Sequence, residues 1–373
     1  MFAICSAYPE LKKLKFPLLR TSLLIFYNFR EIIIQMNKSS QATIKDIARK
    51  LNISVSTVSR ALKDHPDISY DTKLLVRQVA DELNYRPNIL ALSLRKQKTF
   101  TIGLVIPAIV HHFFSSVISG IEDLTFKEGY NLIICQSNEN QHREAINVQM
   151  LIDHRVDGLL ASVSKTTMNS DHFSKVVESD VPLVFFDRVC ENIATDKVIT
   201  DDLNGAFLAT EYLIKKRKCK NILHLSTSQN LAIGRDRSEG YKQALQKYKI
   251  PLRNELILKC DSKEEAQSLK KHILKLAPGI DGLFAVNDST AIAAMQILQN
   301  AGYKVPEDIA VMGFGDGPNA VITQPALSTV VQKGYEMGYE ATRLLIQRLN
   351  NPNADIVPQT IVLKSSLKIR NSA

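Results

Sequence analysis

Polar side chains follow several short apolar segments of this chain, at places where they could bind a small polar molecule. Asp187 and Arg188 follow VPLVFF, Asn287 and Asp288 follow LFAV, and Asp316 follows VMGFG. Carboxylate and guanidinium groups form strong paired hydrogen bonds, so each can hold two vicinal hydroxyls. The set therefore favours binding of a polyhydroxylated ring.

Two further pairs of residues complete this candidate ligand site. Arg235 and Arg237 open a helix within GRDRSEGY, and Phe113 and Phe114 begin a helix after TIGLVIPA, where a ring could stack on the ligand. The alternative interpretation is structural, since some of these groups could be helix caps or salt bridges. Asp288 could cap a helix over 289–301, and Arg188 could stabilise the fold.

A different surface is predicted for residues 42–62, ATIKDIARKLNISVSTVSRAL, whose apolar spacing indicates two short helices joined by a tight corner. Thr43 can cap the first helix together with Asp46, and Ser54 can cap the second. With Val58 turned inward, the outer side chains of the second helix are Val55, Ser56, Thr57, Ser59 and Arg60. Short hydroxyl and methyl groups let a helix approach base edges in the major groove. The alternative is an ordinary helical hairpin with solvated hydroxyls.

A third amphipathic helix is predicted from Ser69 to Leu83, with a buried stripe of Leu74, Leu75, Val79 and Leu83. The segment NYRPNILALSLRKQKT follows, in which Pro87 can open a short helix over 88–94. So short a helix should be unstable alone in water. We expect it to fold only against a partner helix and a DNA surface.

The order of these segments resembles the LacI/GalR (lactose-repressor) family of bacterial transcription regulators. The resemblance rests on TIKDIARKLNISVSTVSRAL, ELNYRPN, GRDRSEGY, VNDSTAIA and VMGFGD, and it covers about residues 41 to 370. It implies a homodimer that binds near-palindromic double-stranded operator DNA. It also implies that a small molecule, a sugar or sugar derivative, binds between two lobes and controls operator affinity.

The resemblance also implies roles for individual residues. Val55 and Ser56 occupy the main sequence-reading positions, and Tyr85 and Asn88 resemble the family's backbone-anchoring residues. Leu94 from each subunit would wedge between base steps in the minor groove and kink the duplex.

On the effector side, the resemblance places Arg237 and Asp316 at the positions that most often hold effector, with Phe113 and Phe114 lining the first lobe. One departure is Gly315, because many members carry the first of two acidic residues there. The pocket carboxylate is therefore displaced or lost, which weakens any transfer of ligand identity.

From Thr101 onward, apolar segments rich in Val, Ile and Leu alternate with helical stretches, as buried parallel strands and their crossover helices do. Two such sets predict an α/β core of two doubly wound parallel lobes, with the ligand cleft between them. The predicted organisation is an unstructured extension (1–40), a helix-turn-helix domain (41–86) and a hinge (87–98), followed by the core. Lobe 1 is expected at 99–200 and 332–356, and lobe 2 at 201–328 and 357–373.

Charge is distributed unevenly along the 373 residues. Of the formal net charge of +9, residues 1–40 contribute +4 and residues 41–98 contribute +5, whereas residues 99–373 carry 30 basic and 30 acidic side chains. All the excess positive charge thus lies at the DNA-binding end, where phosphate contacts would use it.

Other function classes find little support in the sequence. The five cysteines are scattered without metal-ligand spacing, no Ser/His/Asp or HExxH arrangement is present, and GFGDG is not a dinucleotide motif, so we expect neither an enzyme nor a cofactor. The longest apolar run in the first 35 residues, Leu23 to Tyr27, is too short for a signal or a membrane span. We expect a cytoplasmic protein. A solute-binding protein with the same two-lobed core is the alternative, but it would need an export signal.

Overall fold

A computed structural model describes residues 42–86, 98–352 and 357–373 of the chain, which divides into two compact units after Lys96. The described part of the first unit holds three helices, α1 (Ile44–Leu51), α2 (Val55–Leu62) and α3 (Tyr70–Glu82). The predicted N-terminal extension and the predicted hinge helix at 88–94 lie outside the described residues.

Local hydrogen bonds explain where the first two helices begin. The Asp46 carboxylate accepts hydrogen bonds from the backbone N–H and the hydroxyl of Thr43, at 2.9 and 2.6 Å, and these bonds hold the pKa of Asp46 below its usual value. Ser54 Oγ accepts the N–H of Thr57 at 3.0 Å. Between the helices Asn52 adopts the left-handed conformation that ends α1. The predicted caps and corner are confirmed.

The core of the small unit corrects one prediction about α3. Leu74 and Leu75 were expected inside, but they are 48% and 51% exposed, whereas Val76 and Ala80 are buried. The buried residues are Val76, Val79 and Ala80, with Leu83 partly buried beside them, and this is the spacing of one helix face. The small side chains of Val76 and Ala80 let α3 lie close to α1 and α2. The prediction had chosen the larger leucines for the buried face.

The large unit contains two six-stranded sheets. The first consists entirely of parallel strands in the order β2-β1-β3-β4-β5-β11: β1 (Thr101–Ile106), β2 (Asn131–Gln136), β3 (Gly158–Ala161), β4 (Leu183–Phe186), β5 (Asp196–Thr200) and β11 (Thr360–Leu363). The second has the order β7-β6-β8-β9-β10-β12: β6 (Ile222–Ser226), β7 (Ile257–Lys259), β8 (Gly282–Ala285), β9 (Ala310–Gly315), β10 (Ser328–Val331) and the antiparallel β12 (Ser366–Lys368). These sheets confirm the two predicted lobes.

Helices cover both sheets. Lobe 1 carries α4 (His112–Lys127), α5 (Gln141–Asp153), α6 (Asp171–Glu178) and α13 (Gly334–Asn350). Lobe 2 carries α7 (Asp202–Lys215), α8 (Ala232–Lys247), α9 (Lys263–Ser268), α10 (Lys270–Leu276), α11 (Asp288–Asn300) and α12 (Asn319–Ile322). Among the described residues, no helix combines the length and apolar character that crossing a bilayer requires.

Helix α13 approaches α4 unusually closely because glycines face the contact. A Cβ atom at Gly120 would collide with the carbonyl oxygen of Tyr335, and one at Gly338 would collide with that of Val117. These two glycines therefore allow the backbones of the two helices to touch.

The chain passes between the lobes three times, through short segments. Asp201 joins β5 to α7, residues 332–333 join β10 to α13, and residues 364–365 join β11 to β12. The last crossing corrects the predicted boundary at residue 357. TIVLKSSLKI reads as one strand, but its first part pairs with β5 in lobe 1 and only its second part pairs with β10 in lobe 2.

Candidate functional site

The outer face of α2 is polar and open. Val55 is 41% exposed, Ser56 and Arg60 are exposed, and Val58 is fully buried. The hydroxyl of Ser54 lies 2.7 Å from that of Ser56 and 2.8 Å from that of Thr57. Hydroxyl groups thus gather at the N-terminus of α2, where the unpaired backbone N–H groups of a helix favour phosphate oxygens.

The other predicted DNA-binding residues are less uniform in their surroundings. Ser59 is half-buried, Thr43 is exposed at the start of α1, and Tyr85 packs against the small core. Arg60 is exposed, and its Nη1 atom is as far as 4.0 Å from Asp67 Oδ2, so this ion pair holds the guanidinium group weakly. Asn88 and Leu94 lie outside the described residues.

Loops at the carboxyl ends of the two sheets meet each other in the large unit. Lys165, which follows β3, places Nζ 3.2 Å from Oδ1 of Asp261, which follows β7. Nearer the surface, Arg235 Nη2 lies 2.6 Å from Glu191 Oε2. The space between the lobes, here called the cleft, is therefore spanned by two ion pairs, in the place where ligands bind in such folds.

Asp187 and Arg188 form the floor of the cleft in lobe 1. Asp187 is 5% exposed, and burial raises the pKa of its carboxyl group to about 6. Arg188 Nη1 donates to both carboxylate oxygens of Glu139, at 2.7 and 2.8 Å. Arg188 Nε lies 3.8 Å from Asp187 Oδ2 and has no hydrogen-bond partner among the residues that the structure describes.

Aromatic rings lie beside this floor. The Arg188 guanidinium carbon is 5.8 Å from the centre of the Phe114 ring, and Phe114 packs edge-on against Phe113 with centroids 5.3 Å apart. Phe114 is buried, whereas Phe113 is half-buried. The structure thus brings together four of the residues singled out in lobe 1.

Arg237 lies in lobe 2 and is almost fully buried. Its Nε and Nη2 atoms lie 2.8 and 2.7 Å from Asp202 Oδ1, and Nη1 donates to the carbonyl oxygen of Val286 at 2.5 Å. The guanidinium group lies 3.8 Å from the centre of the Phe314 ring. Burial raises the pKa of Asp202, and Arg237 opposes that rise.

The cap of α11 is Asn287, and Asp288 occupies the first turn, which corrects the suggestion that Asp288 is the cap. Asn287 Oδ1 accepts the N–H of Thr290 at 2.8 Å, and its Nδ2 donates to the carbonyl oxygen of Asp261 at 2.8 Å. Asp288 instead accepts the hydroxyl of Thr329 at 2.5 Å and the N–H of Gly317 at 3.0 Å.

Asp316 is paired within its own lobe. Its Oδ1 lies 2.5 Å from Nη2 of Arg370, a residue that the sequence pattern did not single out. The preceding Gly315 has φ of +146°, and a Cβ atom there would lie 3.1 Å from Asp288 Oδ2. The Asp288 carboxylate therefore borders the position where a first acidic residue is missing.

Sequence reasoning missed six charged residues that pair within or across the predicted site: Glu139, Lys165, Glu191, Asp202, Asp261 and Arg370. Asp261 directly follows the strand-like segment LILKC, so its position was available as a signal, whereas Asp202 follows β5, whose mixed polarity gave none. The partners of these residues could not be predicted, because each pair joins distant parts of the chain. Within the described ranges, no cluster of three or more His, Cys, Asp or Glu side chains is arranged to hold a metal ion.

Comparison with known families gives two matches. Residues 43–88 match "Bacterial regulatory proteins, lacI family", and residues 99–365 match "Periplasmic binding proteins and sugar binding domain of LacI family". The chain is similar to the ribose operon repressor of Halalkalibacterium halodurans, with 31% identity over 87% of this chain and 97% of the relative. It is also similar to the transcriptional repressor PurR of Vibrio atlanticus, with 33% identity over 83% of this chain and 92% of the relative.

Solved structures give the same picture. The lac repressor dimer bound to operator and the anti-inducer ONPF aligns over 89% of this chain and 99% of that chain, with a TM-score of 0.78 and 23% identity, a likeness of fold. A LacI-family regulator from Enterococcus faecium with bound ribose aligns over 73% of this chain and 98% of that chain (TM-score 0.64, 26% identity). The regulator CelR in complex with cellobiose aligns over 89% and 100% (TM-score 0.66, 25% identity).

Proposed function

Since this chain belongs to the LacI family of bacterial regulatory proteins, we propose that it represses transcription as a homodimer on a near-palindromic operator. A sugar or sugar derivative bound in the cleft controls its affinity for DNA. The observation that carries this proposal is the presence, in one chain, of an open polar α2 and a two-lobed core whose cleft is spanned by ion pairs. We place its action in the cytoplasm, where the operator is accessible.

On the DNA side, Val55 and Ser56 read base edges, because they project from the first turn of α2 and are exposed. Around them, contacts to phosphates and bases come from Thr43, Ser54, Thr57, Ser59 and Arg60. Tyr85 and Asn88 fix the backbone, and Leu94 wedges into the minor groove. The domain division proposed is a helix-turn-helix domain to residue 86, a hinge to residue 98 and the core beyond.

On the effector side, Asp187 and Asn287 approach the ligand from opposite lobes, while Phe113 and Phe114 cover one face of it. Arg237 contacts it from lobe 2. Asp316 and Arg235 remain proposed ligands, although each must share its charged group with Arg370 or Glu191. Effector binding then shifts the balance between lobe arrangements, and with it the spacing of the two DNA-binding segments of the dimer.

The coupling between effector and operator is reciprocal. Its free energy is of order 1 to 3 kcal/mol, as is typical of such systems. Whether effector releases the operator or promotes its binding is decided by which lobe arrangement favours DNA. Both directions satisfy the proposal, because each requires a change in operator affinity.

A gel-shift experiment tests the proposal. The full chain is incubated with DNA from its own genomic neighbourhood, with and without members of a carbohydrate and metabolite panel that raise its melting temperature. We expect specific binding that a stabilising compound changes. Leu94→Ala should weaken specific operator binding while effector binding stays intact. Absence of any specific DNA binding would contradict the proposal.

A solute-binding protein is the alternative function, since the core matches a family description that includes periplasmic binding proteins. Such a protein would have no use for the helix-turn-helix segment at 43–88. Fractionation of native cells distinguishes the two, because a solute-binding protein is exported and a repressor stays with the nucleoid-containing fraction.

A further inference from the structure

We propose, on the premise that the cleft is the effector site argued above, that it accepts uncharged polyhydroxylated molecules and rejects effectors bearing a phosphate or carboxylate group. The reason is that five basic side chains around the cleft already face carboxylates of the same chain. An anionic ligand would have to displace those carboxylates or lie beside them.

The two arginines that are most buried beside the cleft already bond groups of the same chain. Arg237 bonds Asp202 with two nitrogen atoms and Val286 O with the third. Arg188 holds both oxygens of Glu139. Taking Asp202 away from Arg237 is unfavourable, because the abandoned carboxylate would remain buried and unpaired.

Three further basic side chains around the cleft also face carboxylates, in more exposed pairs. Three ion pairs complete the set, with N···O distances of 3.2, 2.6 and 2.5 Å: Lys165–Asp261, Arg235–Glu191 and Arg370–Asp316. A phosphate or carboxylate that entered would therefore meet no basic group that lacks an acidic partner among these five.

Two carboxylates exceed this one-to-one pairing. Asp187 lies 3.8 Å from Arg188, which already holds Glu139, and Asp288 accepts hydrogen bonds from Thr329 and Gly317 rather than from a cation. The pairs and these two residues together carry a formal charge of −2. Like charges brought together at a desolvated interface repel strongly, so this local excess disfavours anions.

Helix N-termini are the other source of positive potential in such a fold. The N-terminus of α11 is capped by Asn287, and that of α7 by Asp201, whose side chain accepts the N–H of Asn204. Acidic side chains, Asp288 and Asp202, follow in the first turns. These two helix ends therefore offer an anion little.

An uncharged hydroxyl fits the unpaired groups on the floor better. Asp187 supplies an acceptor, and Arg188 Nε supplies a buried donor without a partner among the described residues. A hydroxyl donates and accepts at once, so it can satisfy both atoms. A phosphate oxygen accepts only and would lie against the Asp187 carboxylate.

Isothermal titration calorimetry with matched ligand pairs tests the proposal on the full chain without DNA. The probes are glucose with glucose 6-phosphate, ribose with ribose 5-phosphate, and inorganic phosphate alone. In any pair that binds, we expect the neutral member to bind at least about tenfold more tightly, as even a modest charge repulsion requires. Tighter binding of a phosphorylated member, or binding of inorganic phosphate in the same concentration range, would overturn the proposal.

A charge variant provides a second measurement that does not depend on finding a sugar. Asp261→Asn leaves Lys165 without its carboxylate, so phosphate affinity should rise by about tenfold. Asp153→Asn, which alters an exposed carboxylate on α5, should leave it unchanged. If Asp261→Asn does not fold, as judged by circular dichroism, Glu139→Gln releases Arg188 instead. Unchanged phosphate affinity in the folded variant would contradict the pairing argument.

These measurements separate the inference from the proposed function. If the full chain bound no operator in gel shifts, repression would be refuted, but the charge selectivity of the cleft would not be affected. Operator binding that responds to a sugar phosphate and not to its neutral partner would refute the charge selectivity and leave repression intact.

Discussion

Arg237 on α8 and Asp202 on α7 form a buried ion pair, with Nη2 and Oδ1 2.7 Å apart and both side chains less than a tenth exposed. The pair fixes a guanidinium group against the Phe314 ring at the edge of the cleft. It therefore contributes to the packing of α7 against α8, and in the proposed site it would orient Arg237 toward a ligand.

Arg237→Ala should preserve operator binding but abolish the response to effector. It should also lower the free energy of unfolding by about 3 to 5 kcal/mol, because it leaves Asp202 buried without its partner. Gel shifts with effector and denaturant titrations measure the two effects. Arg253→Ala removes an exposed ion pair in the same lobe and should change neither. A normal response of Arg237→Ala at the same effector concentrations would remove Arg237 from the site.

Lys165→Met should weaken effector binding, because the Lys165–Asp261 pair exists only when the two lobes approach each other. A ligand that binds the closed arrangement loses affinity when that arrangement becomes less populated. Calorimetry measures the change. Lys247→Met, which removes the Lys247–Glu211 pair within lobe 2, is the matched control. Equal affinities for both variants would mean that the pair does not contribute to closure.

Asp187→Asn should stabilise the protein at neutral pH. Because burial raises the folded-state pKa of Asp187 to about 6, the folded protein holds this proton more tightly than the unfolded chain does. The stability that protonation supplies is present below about pH 4 and is lost as pH rises through 6. The substitution should therefore add up to about 3 kcal/mol at pH 7.5 and much less at pH 4.5. Urea unfolding at both pH values, with Asp153→Asn as an exposed control, checks this. Effector affinity should fall in the same variant.

Gly338→Ala should destabilise the large unit by at least about 1 to 3 kcal/mol, the usual cost of overpacking, because the new methyl group would collide with Val117 O. Gly279→Ala has open space around the added methyl and should be nearly neutral. Thermal unfolding compares the two. Similar melting temperatures would show that α4 and α13 can separate at little cost.

Operator affinity should fall as salt rises, with a slope of log K against log salt set by the number of phosphates contacted. Arg60→Gln should reduce that slope by about one if its weakly held guanidinium group binds a phosphate. Arg77→Gln is the control, because Arg77 is paired with Asp64 at 2.5 Å. Binding of an uncharged effector should show little dependence on salt.

Local sequence signals predicted most of the elements, since caps, apolar spacing and strand-like segments act over a few residues. The capped starts of α1, α2 and α3 follow directly from Thr43, Ser54 and Ser69. The strands β5 and β10 carry no such signal, because DKVIT and STVV are short and mixed in polarity. Residues 263–276 form two helices, α9 and α10, which meet at Leu269.

The ion pairs of the cleft could not be predicted in this way. Arg237 and Asp202 are 35 residues apart, Arg370 and Asp316 are 54 apart, and Lys165 and Asp261 are 96 apart. Strand-end position indicates that a side chain lies near the cleft, but only the folded arrangement decides which charge it meets. The charge selectivity proposed above depends on those pairings and was therefore invisible in the sequence.

The three short passages between the lobes limit how the core can move. Three connections of one or two residues each permit the lobes to bend about a common hinge. Sliding or a large twist of one lobe against the other would stretch at least one connection. The lobes can then move essentially along one coordinate, between an open and a closed arrangement. A weak effector would accordingly produce a partial response because it closes a smaller fraction of the molecules. Each closed molecule would have the same structure as one closed by a strong effector.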